Sequence, residues 1–231
     1  MEKFITDEAI VLKKTQVGDT DLSINIYAKN IGRTNIYIPK GQLIKTFYPT
    51  IMEPFNWFKG VFVEKKGKFF IKEINQFQNL ALSISQNLDK FYTAFYILSI
   101  FNKYSISDDE KLFILLKKSF YYLTIIENTE NFKINFLAKF ILLSGIYPQL
   151  DECVKCKSKI NVKNFSSFSV KYSGVICKNC NKRKKSFLTY KDILTLKALK
   201  KAPFSKIDSL SIENKNFLHF FEKYISSKME S

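Results

Sequence analysis

The sequence predicts an α+β protein, with a small N-terminal β-barrel followed by helices and a cysteine-clasped ribbon set among them. Three observations predict it. In the first eighty residues Leu22, Ile24, Ile26 and Ala28 alternate with Ser23, Asn25 and Tyr27, the period of a sheet with one buried face. From about Leu80 the period changes: Leu88, Phe91, Tyr92, Phe95, Leu98 and Phe101 fall at helical spacing. Further on, Cys153-Val154-Lys155-Cys156 is answered, after twenty intervening residues, by Cys177-Lys178-Asn179-Cys180. These patterns divide the chain into a barrel over 1–79, a helical domain over 80–150, a ribbon over 151–188 and C-terminal helices over 189–231.

The barrel is read from its strands. Ala9 to Leu12 is an apolar run, and Ile36 and Ile38 alternate with Asn35 and Tyr37. Ile51 to Phe58, Val61 to Glu64 and Phe69 to Ile74 follow, with turn signals at Gly18, Gly32, Gly41, Gly60 and Gly67. Five or six short strands in this length suit an OB-fold, a five-stranded barrel that binds oligonucleotides across one face. Such a groove needs cations for the backbone and aromatic faces for the bases. Lys13, Lys14, Arg33, Lys40 and Lys45 are candidates for phosphates, and Tyr27, Tyr37 and Phe47 for stacking. Ordinary core packing is the competing role for each aromatic.

The helical region continues through Leu112, Leu115, Leu116, Phe120 and Leu123, with Ser107 and Glu110 as a capping box and Asp108 and Asp109 near the positive end. A third helix is expected from about Asn131 to Ser144, stopped by Gly145 with Pro148 beyond. Two more are expected near Tyr190 to Lys201 and Ile212 to Ile225, separated by Pro203. No uninterrupted apolar run is long enough to span a bilayer, so a soluble protein is expected.

Two CxxC knuckles at this separation are the ligand pattern of a zinc ribbon, because each presents two sulfurs to one tetrahedral metal. Cys153, Cys156, Cys177 and Cys180 are all the cysteines present. Four thiolates close the coordination sphere, so one structural Zn²⁺ is expected, with no open position for water or substrate. An iron–sulfur cluster is the chemical alternative. Disulfides would need an oxidising compartment, and the start, Met1-Glu2-Lys3-Phe4-Ile5, lacks the basic and then apolar pattern of a signal peptide.

The net charge of +16 is concentrated toward the C-terminus. Residues 151–231 hold 18 basic and 7 acidic side chains, a net of +11, against +5 for residues 1–150. This fits a polyanionic partner held by phosphate neutralisation; a lysine-rich composition from an AT-rich genome accounts for it equally. The run Lys182-Arg183-Lys184-Lys185, just past Cys180, is a further DNA-binding candidate, with a solvated loop as the alternative.

Nothing in the sequence supports catalysis. None of the seven glycines builds a phosphate loop or dinucleotide fingerprint. The sole histidine, His219, lies between Leu218 and Phe220 and reads as a partly buried structural residue. Asp19 and Asp21, like Asp151 and Glu152, lack acid–base partners and read as turn and loop formers. The protein is expected not to be an enzyme.

Several ordered fragments carry a resemblance. Ala9-Ile10-Val11-Leu12, Gly18-Asp19-Thr20-Asp21, Ile31-Gly32 and Lys40-Gly41 resemble the N-terminal segment of the bacterial DNA repair protein family RecO. Gly145-Ile146-Tyr147-Pro148-Gln149-Leu150 leading to Cys153 and Cys156 is similar to that family's approach to its zinc site, as is Phe168 with Ser173-Gly174 before Cys177 and Cys180. The resemblance implies an OB-fold, a helical domain and an embedded zinc ribbon. It also implies a recombination mediator of the RecF pathway without catalytic turnover. Such a protein binds single- and double-stranded DNA, anneals complementary strands, contacts the C-terminal tail of the single-strand-binding protein and works with RecR to load RecA. The implied location is the bacterial cytoplasm, at the nucleoid. One departure shifts weight from the barrel to the basic run: Gln42 and Leu43 stand after Lys40-Gly41, where the family usually carries two arginines. The rival readings are an RNA-associated zinc-ribbon accessory factor and a pure protein-assembly module.

Overall fold

A computed structural model describes residues 3–104, 109–181, 187–214 and 216–230. The chain forms two compact units that divide after Ile125.

The first unit opens with β1 (Lys3–Val17), β2 (Asp21–Ala28) and β3 (Gly32–Ile38), followed by a short 3-10 turn at Ile44–Thr46 and α1 (Tyr48–Ile51). Then come β4 (Trp57–Lys65) and β5 (Lys68–Gln78). The strands close in the order β1-β2-β3-β5-β4, with β4 returning to β1. Only the contact of β3 with β5 is parallel, through Ile36 and Phe69. This is the expected OB-type barrel.

Alternation decides its inside. Ala9, Val11, Leu22, Ile24, Ile26, Ile36, Ile38, Phe58 and Phe62 form the core, and Ile51 and Met52 join it from the α1 segment. Each fully buried large side chain contributes about 1.5–3 kcal/mol. Asp7, also buried, accepts four N–H bonds from Glu8, Asn30 and Ile31, which shapes the turn between β2 and β3.

Two sequence expectations are corrected here. Ile51 to Phe58 is not one strand: it holds the end of α1, a turn with Phe55 at φ 78°, and only the start of β4. The pattern was apolar, but Pro49 and Pro54 break the extension, and Met52 and Phe55 are buried from a turn. Buried Asn56 holds that turn by donating to the Thr50 and Ile51 carbonyls and accepting from Ala81 N–H. Gly60, read as a turn signal, lies within β4 beside a bulge, where a Cβ would sit 2.5 Å from the Glu73 carbonyl oxygen. Glycine is required there by close backbone approach. Gly67, at φ 72° after Lys66 at φ 52°, does make the expected tight hairpin turn.

The unit is completed by α2 (Leu80–Ser85), α3 (Leu88–Tyr104) and α4 (Glu110–Ile125). Phe55 packs edge-on against Phe91 and Phe95 and tilts against Phe120. Of the expected capping box of α4, Glu110 is its first residue, while Ser107 and Asp108 lie outside the described residues.

The second unit contains α5 (Thr129–Leu143), β6 (Phe165–Ser169), β7 (Gly174–Cys177), α6 (Tyr190–Lys201), a 3-10 segment (Phe204–Ser209) and α7 (Phe217–Met229). Helix α5 ends as its sequence predicts: Gly145 takes φ 73°, and the N–H groups of Gly145 and Ile146 reach back to the carbonyls of Leu142 and Ile141. Helix α6 begins with a reciprocal box between Thr189 and Asp192. Helix α7 starts at Phe217, later than the expected Ile212, because the segment after Pro203 winds into the 3-10 turn and then extends at Leu210. Among the described residues, no helix is long and apolar enough to cross a membrane.

Candidate metal centre and nucleic-acid surfaces

The first knuckle is made by the backbone. Lys157 takes φ 61°, its N–H bonds the Cys153 carbonyl at 2.9 Å, and the Cys153 N–H bonds the Ser158 carbonyl at 2.8 Å. This turn aims Cys153 and Cys156 the same way. The second knuckle repeats the device: the Cys180 and Asn181 N–H groups both reach the Cys177 carbonyl, at 3.1 and 3.0 Å. Strand β7 delivers Cys177, and the Val154 N–H bonds the Val175 carbonyl at 3.0 Å, which joins the knuckles. Where β7 leaves the hairpin turn, Gly174 lies so near Gln149 that a Cβ would meet the Gln149 carbonyl oxygen at 2.5 Å.

The four sulfurs consequently lie within 4.8 Å of one another. Cys156 Sγ and Cys177 Sγ are 3.6 Å apart. A tetrahedral metal with bonds of about 2.3 Å to sulfur places its ligands about 3.8 Å apart, so the set fits one ion. Cys153 and Cys177 are buried, while Cys156 is exposed.

The four sulfurs differ in how readily they ionise. The hydroxyl and N–H of Ser158 draw the Cys156 thiol down to about 6, with Cys180 and Cys177 adding to the effect. Hydrogen bonding to Cys156 and Cys177 pushes Cys180 up to about 12. At Cys153 burial opposes ionisation, but N–H groups of Cys156, Cys177 and Lys155 outweigh it, and the thiol is lowered. Thiolates this close repel one another unless a metal neutralises them.

The candidate phosphate ligands of the barrel are not equivalent. Lys13, Lys40 and Lys45 are exposed. Lys14 is bound within its unit, donating to Glu53 Oε1 at 2.6 Å and to the Pro49 carbonyl at 2.8 Å. Arg33 donates to the Phe101 carbonyl at 3.0 Å, near the C-terminal end of α3. The candidate platforms separate too. Tyr27 is buried, its ring against Phe101 and Phe113 and its hydroxyl bonded to the backbone of Asp109, so it offers no face to a base. Tyr37 and Phe47 are exposed, with the Tyr37 hydroxyl donating to Asp21. That bond holds the Asp21 carboxyl below its ordinary range, and Asp21 also receives the Lys40 N–H, which makes it a turn former as expected. Lys182, Arg183, Lys184 and Lys185 lie outside the described residues. His219 is exposed on α7 rather than partly buried.

Another cationic surface escaped sequence reasoning. The hairpin between β4 and β5 exposes Lys65, Lys66 and Lys68, and farther along β5 Lys72 lies 4.5 Å over the ring of exposed Phe4. Its signal was the string Lys65-Lys66-Gly67-Lys68, read only as a turn.

The family described as "Recombination protein O C terminal" matches residues 85–222. The chain is 28% identical to the DNA repair protein RecO of Caldanaerobacter subterraneus subsp. tengcongensis over 218 residues, covering 91% of this chain and 85% of that protein. It is 26% identical to the DNA repair protein RecO of Thermoanaerobacter sp. over 219 residues, with the same coverage. With that of Clostridium acetobutylicum it shares 25% over 222 residues, 92% of this chain and 86% of the relative. With most of its length matched in this way, the chain belongs to the RecO family of DNA repair proteins.

Proposed function

We propose that this protein is a DNA repair and recombination mediator. It binds single- and double-stranded DNA, anneals complementary strands and, with RecR, helps load RecA onto DNA coated by single-strand-binding protein. The observation that carries this reading is the family match over 85–222 in a chain whose preceding residues close into an OB-type barrel. Lys13, Lys40 and Lys45, the β4–β5 hairpin lysines and the run Lys182 to Lys185 supply cations that shield two phosphate chains from mutual repulsion. An open face leaves bases free to pair. Strand annealing then needs no chemical step, and we assign none.

The metal assigned to the cysteine cluster is one structural Zn²⁺, held by Cys153, Cys156, Cys177 and Cys180; its part is to tie the knuckles together. The bacterial cytoplasm, where thiols stay reduced, is the compartment this requires. For the acidic, apolar tail of the single-strand-binding protein, the first unit offers a groove of about 420 Å³, with Phe113, Ile114 and Tyr121 beside Lys118, and with Lys117 and Lys29 held there by Glu8 and Glu110. Apolar walls beside cations are what such a peptide needs.

The test is annealing of complementary oligonucleotides precoated with the cognate single-strand-binding protein, across a salt series. Acceleration that fades as salt rises is expected. No acceleration by folded, metal-loaded protein would reject the annealing role, and stronger competition by structured RNA than by single-stranded DNA would favour the RNA-associated reading.

A further inference from the structure

The surface of the ribbon carries a feature that metal binding does not use. Tyr172, in the hairpin between β6 and β7, is 52% exposed. Two ammonium groups lie over its ring: Lys155 Nζ is 5.5 Å from the centroid and Lys171 Nζ 5.8 Å. Lys155 belongs to the first knuckle, between Cys153 and Cys156, whereas Lys171 precedes Tyr172 on the hairpin. Neither lysine pairs with a carboxylate among the described residues, unlike Lys117 over Trp57, which also binds Glu8.

The backbone beneath the ring is held from several sides. The Tyr172 N–H reaches Ser169 Oγ at 3.3 Å, the Ser173 N–H bonds the Val170 carbonyl at 3.1 Å, and Lys228 of α7 donates to the Lys171 carbonyl at 3.3 Å. The ring is thus presented on a braced support, with two flexible lysines over it that no carboxylate among the described residues neutralises. A flat aromatic face with adjacent cations is the arrangement that receives an unpaired base and its phosphates. Bases in a duplex keep their faces stacked and out of reach.

We infer that this surface is a single-stranded DNA site, with one base taking the place of the ammonium groups on Tyr172 while Lys155 and Lys171 swing out to meet neighbouring phosphates. The inference rests on the proposed DNA-binding function and gives it a specific contact on the ribbon. Fluorescence anisotropy of the intact chain with dT20 and with an abasic oligonucleotide of equal length tests it, with metal content checked for every variant. Tyr172→Ala is expected to weaken dT20 binding about 5- to 100-fold, with little change for the abasic strand, while Tyr172→Phe retains binding. Lys155→Gln with Lys171→Gln is expected to flatten the salt slope by about 1.4. Tyr172→Trp supplies a second readout: Trp57 is buried, so quenching by dT20 reports stacking at the new ring. Equal dT20 affinity of wild type and Tyr172→Ala, or equal losses on both strands, would overturn the inference while leaving the DNA-binding function standing. Failure of wild type to bind any DNA would overturn both.

Discussion

Glu8 shows how single residues tie helix to barrel in the first unit. It accepts from Lys117 Nζ at 2.6 Å and from Trp57 Nε1 at 3.0 Å, while Lys117 also sits 4.0 Å over the Trp57 ring. Burial raises the Glu8 carboxyl, but the hydrogen bond and charge of Lys117, then Trp57, outweigh it, so its pKa is lowered. A lowered folded pKa gives stability that is fully present above the unfolded value, about 4.3, and is lost as pH falls through the folded value. Glu8→Gln should therefore cost about 1–2 kcal/mol at pH 6–7. The gap between the urea midpoints of the two proteins should narrow as pH falls below the unfolded value; a gap that does not narrow on acidification would assign the loss to packing instead.

At the scale of elements, glycines and prolines set the barrel's path. Gly60 lets β4 and β5 approach at a bulge, and Gly60→Ala forces a Cβ to within 2.5 Å of the Glu73 carbonyl oxygen. Relief requires the strands to separate, so a loss of about 1–3 kcal/mol is expected, measured as a lower urea midpoint with unchanged metal content. Full retention of stability would show that the bulge relaxes freely. Many elements were legible in the sequence for local reasons. Helix α6 spans Tyr190–Lys201, as its periodicity predicts, and Gly145 stops α5 where a left-handed residue is needed. Ile51 to Phe58 was misread because apolar content reports burial, not extension, and the two prolines flanking Ile51 and Met52 turn the chain into a plug for the barrel.

For the whole molecule, charge distribution controls the salt dependence expected of the proposed DNA binding. Replacing Lys182, Arg183, Lys184 and Lys185 with glutamine should weaken binding and flatten the plot of log affinity against log salt. Each lost phosphate contact removes about 0.9 from the slope on duplex DNA. An unchanged slope would rule this run out as a phosphate ligand. The same measurement separates this run from Tyr172, whose loss lowers affinity through stacking and leaves the slope nearly unchanged.

By itself the sequence determined the α+β class, the barrel, the positions of most helices and the four sulfurs of the candidate metal centre. Alternation, helical period and ligand spacing are local signals that a chain carries in any conformation. Only the tertiary structure decided which cations and rings face solvent. Lys13 and Lys14 are neighbours in sequence, yet one is exposed and the other is bound to Glu53. Tyr27 alternates with apolar residues as an outward strand position should, yet Phe101 and Phe113, more than seventy residues away, cover it. Exposure depends on what packs against a face, and that partner comes from elsewhere in the chain. Tyr172 became a candidate for the same reason: Lys155 reaches it only because the metal knuckle and the β6–β7 hairpin fold together.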